Sequence, residues 1–170
     1  MVERFDDNSH FVEIGSFKGG SAAFMAVEII NSGKKIKFDC IDLWNDYWDE
    51  DSKELKNYIV YTNMYDTFLN NIKPVRHIIN PIRSDSHSAA SLYCDNSLDF
   101  IYIDANHYYD YIKKDLQLWY PKIKKGGLLA GHDFVNNTAC QVRQAVEEFC
   151  LTYKLNVNIE EGSSWSIEIQ

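Results

Sequence analysis

"SLDFIYIDANHYYDYIKKDLQLWYPKIKKGGLLAGHDF", residues 97–134, decides the fold of this 170-residue chain. Its run LDFIYI, 98–103, is short and nearly continuously apolar, which reads as a strand covered on both faces. Residues 108–120 then place Ile112, Leu116 and Trp119 at i, i+4 and i+7, along one side of a helix. Pro121 ends that helix, and Gly126-Gly127 turns the chain into a second apolar run at 127–131. A strand, a crossover helix and a second strand of this kind make parallel neighbours in one sheet.

The same alternation runs outward in both directions. Strands are expected at 10–14 (HFVEI), 36–43 (IKFDCIDL) and 75–79 (VRHII). Helices are expected at 19–31, with Ala22, Ala26 and Ile30 on one side, at 50–72 with a poorer pattern, and at 86–93. Another, at 139–151, carries Val142, Ala145, Val146 and Phe149 on one face. Two alternating runs, 155–160 and 164–169, flank Gly162 and read as a closing hairpin. The expected architecture is α/β: a doubly wound, Rossmann-like, mostly parallel seven-stranded sheet with an antiparallel C-terminal edge strand and helices on both faces.

Residues 1–170 are expected to form one domain, long enough for a real core. A net charge of −8 disfavours nucleic acid and anionic membrane as partners. No apolar stretch reaches the length of a membrane helix, and MVERFDDNSH has no apolar signal core, so a cytoplasmic protein is expected. Cys40, Cys94, Cys140 and Cys150 lack C-x-x-C spacing and read as buried thiols.

In doubly wound sheets the ligand sits outside the carboxyl ends of the strands. Acids stand at those ends: Glu13, Asp42, Asp85, Asp104 and Asp133. Any one alone is an ordinary cap or turn residue. All five converging on one crevice would be costly without a ligand to offset them, which points to a site. The first loop, E-I-G-S-F-K-G-G-S from Glu13 to Ser21, is neither G-x-G-x-x-G nor G-x-x-x-x-G-K-[ST]. Glu13 at its start would repel a pyrophosphate, and Lys18 is the one nearby cation. A dinucleotide-binding domain therefore fails on the chemistry of this loop. The polarity suits a nucleoside with neutral or positive attachments, with Asp42 on the ribose hydroxyls.

The pattern E-x-G-x-x-x-G-x-S (Glu13, Gly15, Gly19, Ser21) resembles the first motif of class I S-adenosylmethionine-dependent methyltransferases. Residues 97–134, CQVRQAVEEF at 140–149 and a Trp-containing last strand resemble one branch of them. That branch holds small O-methyltransferases and the metal-assisted enzymes that methylate macrolide sugars. The likeness runs over about residues 10 to 169. It implies that Glu13, Gly15, Ser16 and Gly19 line the methionine part of S-adenosylmethionine. Asp42 would bind the ribose, and Asp85 and Ser86 would lie near the adenine; an N-cap role for Ser86 stays open. It implies catalytic roles for Asp104 and His107 in D-A-N-H, with His107 as base. A divalent metal, magnesium in those relatives, would rest on Asp104 and Asp133. The relatives carry an acid where this chain has His132, which shifts the preference toward a transition metal.

The aromatic residues Trp44, Tyr47 and Trp48 stack on adenine, lid the site or pack on their own domain, and Asp46, Asp49, Glu50 and Asp51 read as a solvated helix start. The relatives carry helices ahead of the first strand that cover the substrate, and this cap is expected to be largely missing here. The resulting expectation is O-methylation of a small molecule or sugar by in-line transfer. N-methylation, a hydroxylase-like relative and a non-catalytic S-adenosylmethionine-binding domain that regulates a partner stay open. The expected partners are that acceptor, no nucleic acid and no membrane, with a homo-oligomer left open.

Overall fold

The computed structural model describes residues 1–45, 63–138 and 140–170. Tyr47, Trp48, the acids from Asp46 to Asp51 and the first part of the helix expected at 50–72 lie outside them. Seven strands form one sheet: β1 (His10–Ile14), β2 (Lys37–Asp42), β3 (Ile79–Arg83), β4 (Leu98–Ile103), β5 (Ile123–Gly131), β6 (Asn158–Ile159) and β7 (Trp165–Glu168). Their order is β3-β2-β1-β4-β5-β7-β6. The first five run parallel, and β7 returns antiparallel to β5 with β6 antiparallel at the edge. The order reverses between β1 and β4, and such a switch point opens a crevice at the carboxyl ends. Among the described residues no helix is long and apolar enough to cross a membrane.

The helices are α1 (Gly20–Ser32), α2 (Met64–Asn71), α3 (Ser86–Ala89), α4 (Tyr109–Trp119) and α5 (Val142–Tyr153). Successive strand residues face opposite sides, so the sheet divides the core in two. Val12, Ile14, Ile101 and Ile103 pack with α3, α4 and α5, around the fully buried Trp119 and Trp165. Phe11, Phe38 and Phe100 pack with α1 and α2. Burying side chains of this size contributes about 1.5–3 kcal/mol each.

Four expectations are corrected. The third strand starts at Ile79, where residues 75–79 were expected, because Lys73–Val75 forms a 3-10 turn carrying Pro74. Pro81 looks like a strand breaker, but β3 is an edge strand paired only to β2, where a missing N–H is tolerated. Gly126-Gly127 is not the turn before the fifth strand. It lies inside β5, where the register shifts opposite Leu98 and Phe100 and Gly126 takes φ +78°. On α1, Ile29 turns inward and Ile30 is 43% exposed. Cys94 is exposed, while the other three thiols are buried.

Candidate active site

The carboxyl ends of β1, β2 and β4 are laced together by backbone bonds. Gly15 N–H donates to Ile41 O and Asp104 N–H donates to Ile14 O, both at 2.8 Å. Gly15 takes φ +89°, and a Cβ there would lie 2.0 Å from the Asp104 carbonyl oxygen, so only glycine fits. Gly19 closes the loop with φ +83°, its N–H on Ser16 O at 2.7 Å.

Asp42 ties this loop to the next. Its Oδ2 accepts from Phe17 N–H and its Oδ1 from Trp44 N–H, both at 2.8 Å. Each oxygen keeps a lone pair for a ligand. The Trp44 indole donates to Phe17 O at 2.8 Å and packs on Phe68 and Tyr65. Trp44 is therefore a buried brace of the loop, the packing alternative of the sequence reading. Arg83 donates to Leu43 O and Trp44 O from the neighbouring strand.

These elements border a cleft of about 780 Å³, a size suited to a nucleoside-bearing ligand. Gly15, Asp42, Asp85, Ser86, Asp104 and His107 line it, as the sequence reading expects of one site. Ser16, Gly19 and Asp133 do not line it; Asp133 stands beside it, against His107. Ser16 is buried behind the loop, and its hydroxyl has no hydrogen-bond partner among the described residues.

Glu13 corrects the expectation that all five acids share one crevice. It alternates with Ile14, so its side chain lies on the α1 face and borders a second cavity. Burial pushes its carboxyl up to about 8; Ser21, donating at 2.6 Å, opposes that shift, and the charges of Asp104 and Asp42 add to it. Glu13 thus stays largely protonated near neutral pH and is not the negative gate the sequence suggests.

Asp85 is the N-cap of α3: its Oδ1 accepts from Ser88 N–H at 2.9 Å. The cap is therefore Asp85 and not Ser86. Ser86 instead donates its hydroxyl to Asp115 and accepts from the Trp119 indole at 2.9 Å.

At the ends of β4 and β5 three side chains converge. His107 Nε2 lies 3.5 Å from Asp104 Oδ1 and 3.2 Å from Asp133 Oδ2. Neither contact is aligned as a hydrogen bond among the described residues. The Asp104 carboxylate raises the His107 pKa against the effect of burial, and Asp133 adds to the rise. His132 Nδ1 stands 3.2 Å from the other oxygen of Asp133. The C-terminal hairpin holds this corner, with the Trp165 indole donating to His132 O and Phe134 N–H to Ser163 O. Asp133 takes the left-handed φ +54°, which aims its carboxylate back at His107. One ligand atom from each of Asp104, His107 and Asp133 lies within 4.8 Å of the others, a set that fits a divalent cation.

Asp115, His87 and Tyr111 also line the cleft and were missed in the sequence. Asp115 carried a signal. It is an acid on the apolar stripe Ile112, Leu116, Trp119, where an exposed role is impossible.

A family model described as a methyltransferase domain matches residues 12–134. "Uncharacterized protein R132" of Acanthamoeba polyphaga mimivirus is 28% identical over 130 residues, 75% of this chain and 52% of that protein. The chain thus spans about half the length of this curated relative. The solved structure of the O-methyltransferase NovP matches with a TM-score of 0.73 at 14% identity, over 96% of this chain and 73% of its own. The O-methyltransferase TomG of Streptomyces achromogenes, solved with S-adenosylmethionine, matches at 0.65 and 12% identity, over 99% and 77%. Aeropyrum pernix fibrillarin, also solved with S-adenosylmethionine, matches at 0.60 and 13% identity, over 95% and 66%. At these identities the structural likenesses show the fold.

Proposed function

The chain belongs to the methyltransferase-domain family, with the class I fold of S-adenosylmethionine-dependent enzymes, and from that premise we propose that it methylates a hydroxyl of a small molecule or sugar. The observation that carries this reading is the meeting of Asp104, His107 and Asp133 beside the cleft that Asp42 borders. The backbone of the Gly15–Gly19 loop would cradle the methionine part, and Asp42 would hold the ribose. The sulfonium would then lie over the switch point between β1 and β4, near Asp104.

Methyl transfer is an in-line displacement. The S–CH₃ bond breaks as the O–CH₃ bond forms, and S-adenosylhomocysteine leaves. Alignment and exclusion of water do most of the work. The acceptor must also lose its O–H proton, and His107 Nε2 would take it. Asp104 and Asp133 stabilise the resulting imidazolium, in line with the raised His107 pKa. A bound divalent cation would be held by Asp104, His107 and Asp133, with His132 adjacent, and would supply a Lewis acid for the acceptor oxygen. One His107 nitrogen cannot serve as cation ligand and base together, so activity with and without metal distinguishes the two uses.

Calorimetric titration with S-adenosylmethionine, alongside Asp42→Ala and an NAD control, tests the reading. Binding to the wild type that is lost in the variant, followed by turnover on a panel of hydroxyl acceptors, is the expected outcome. No binding at millimolar cofactor overturns it. Binding without turnover on any acceptor favours a cofactor-sensing domain.

A further inference from the structure

We propose that Asp115 is the residue by which this cleft selects adenine, accepting a hydrogen bond from the 6-amino group of the nucleobase. The inference rests on the cofactor reading above and deepens it.

The topology fixes the direction of the nucleoside. The chemical corner lies at β4 and β5, and the ribose acid Asp42 ends β2. Continuing past β2 leads to β3 and the start of α3, so the base falls against Ser84, Ser86, His87, Tyr111 and Asp115. His87 and Tyr111 stack at 6.2 Å between ring centroids and 22° between planes, a flat wall for a flat ligand.

Asp115 is 2% exposed, yet it lines this end of the cleft. Its Oδ1 is occupied: Ser86 donates to it, and His87 Nε2 stands 3.4 Å away. Its Oδ2 takes no hydrogen bond among the described residues. That oxygen opens to the cleft, so a bound nucleobase would shut water away from it, and a ligand N–H that reaches it removes the cost of burying an acceptor unpaired. Burial raises the Asp115 pKa to about 6, with Ser86 and His87 opposing, so near neutral pH the group is mostly ionised and accepts. The Trp119 indole on Ser86 Oγ orients the serine proton toward Oδ1 and leaves Oδ2 for the ligand. Asp85, the acid that sequence resemblance points to, spends one oxygen on its helix cap and is only half-buried, so water meets its needs. A site discriminates best where its own polar group would otherwise be buried unpaired.

The test compares calorimetric binding of S-adenosylhomocysteine and of its analogue with hydrogen in place of the 6-amino group. Wild type is expected to prefer the adenine ligand by roughly 10- to 100-fold, the range for a hydrogen bond to a charged group. Asp115→Leu should bring the two affinities within about threefold by weakening only the adenine ligand. Asp115→Asn, which still offers a carbonyl oxygen, should keep most of the preference. The wild-type comparison stands even where a variant does not fold. Equal binding of both ligands by wild type overturns the inference and leaves the cofactor reading intact. So does Asp115→Leu weakening both ligands by one common factor, the mark of a structural role. Absence of binding by either ligand overturns the cofactor reading and this inference with it.

Discussion

Asp39 and Asp42 stand three residues apart on β2, Asp39 in the amino-terminal half of the strand and Asp42 at its carboxyl end, and the chain treats the two ends differently. Asp39 is 1% exposed and surrounded by donors: His10 Nε2 at 2.7 Å, Asn80 Nδ2 at 2.8 Å and Tyr93 Oη at 3.0 Å, with Lys37 at 3.4 Å. Burial works to raise its pKa, but His10 and Asn80 outweigh burial and hold it below the ordinary value. At the other end Asp104 and Asp133 share the imidazole of His107, Asp133 has His132 beside it as well, and Glu13 is kept protonated close by. A buried charge with a full set of donors is a structural joint. Acids that crowd one another are held in place by the rest of the fold, for a ligand.

The largest expected effect breaks the well-supplied end. Asp39→Ala leaves His10, Asn80 and Tyr93 without their acceptor and should cost about 3–5 kcal/mol in urea unfolding. Because the folded pKa lies below 3.8, the wild-type contribution is complete at neutral pH. It fades only as acid drives the pH down through that folded value. An Asp39→Ala protein as stable as wild type would show that the two ends do not differ in kind.

Asp104→Asn probes the crowded end. Methyl transfer should fall by about 10²-fold or more, because the imidazolium loses one of its two carboxylate partners. Stability should stay within ~0.5 kcal/mol or rise, since a like charge beside Asp133 has gone. Loss of stability matching that of Asp39→Ala would remove the distinction between the ends.

Glu13→Gln sharpens the comparison through pH. The folded chain keeps the Glu13 proton up to about 8, whereas the unfolded chain releases it near 4.5. Between those values the folded state holds more protons, so wild-type stability falls as pH rises through the window. From about pH 6 to about pH 7.5 this amounts to at most ~2 kcal/mol. The glutamine variant should lack that slope in chemical denaturation at stepped pH. An unchanged slope would assign the pH dependence elsewhere.

The sequence discloses these ends unequally. β4, α4 and α5 are legible because periodicity depends only on which faces are covered, and Ile112, Leu116, Trp119 and Val146 are covered. β3 is shifted because Asn80-Pro81 mimics a turn unless one knows the strand is an edge. The convergence of Asp104, His107 and Asp133 follows from strand order once the resemblance supplies the D-x-x-H pattern. Glu13 is misdirected because a strand-end acid can face either layer, and the alternation with Ile14 decides it. Asp115 escapes because it lies eight residues past His107, on a helix stripe that only packing brings to the cleft.

Asp85 gives the smallest effect and the finest division, being an acid at the ligand end that does a structural task. Its oxygen satisfies the Ser88 N–H at the first turn of α3. Asp85→Ala should cost about 1 kcal/mol, and Asp85→Ser, which restores a capping oxygen, only a few tenths. If capping is the whole of its role, the serine variant should bind S-adenosylhomocysteine within about twofold of wild type while keeping nearly all the stability. A drop of tenfold or more in that variant, with stability intact, would move the reading of the base from Asp115 to Asp85. The ligand end would then use both of its solvent-facing and buried acids on the nucleoside, and the division between the ends of the sheet would be complete for every acid that borders the cleft.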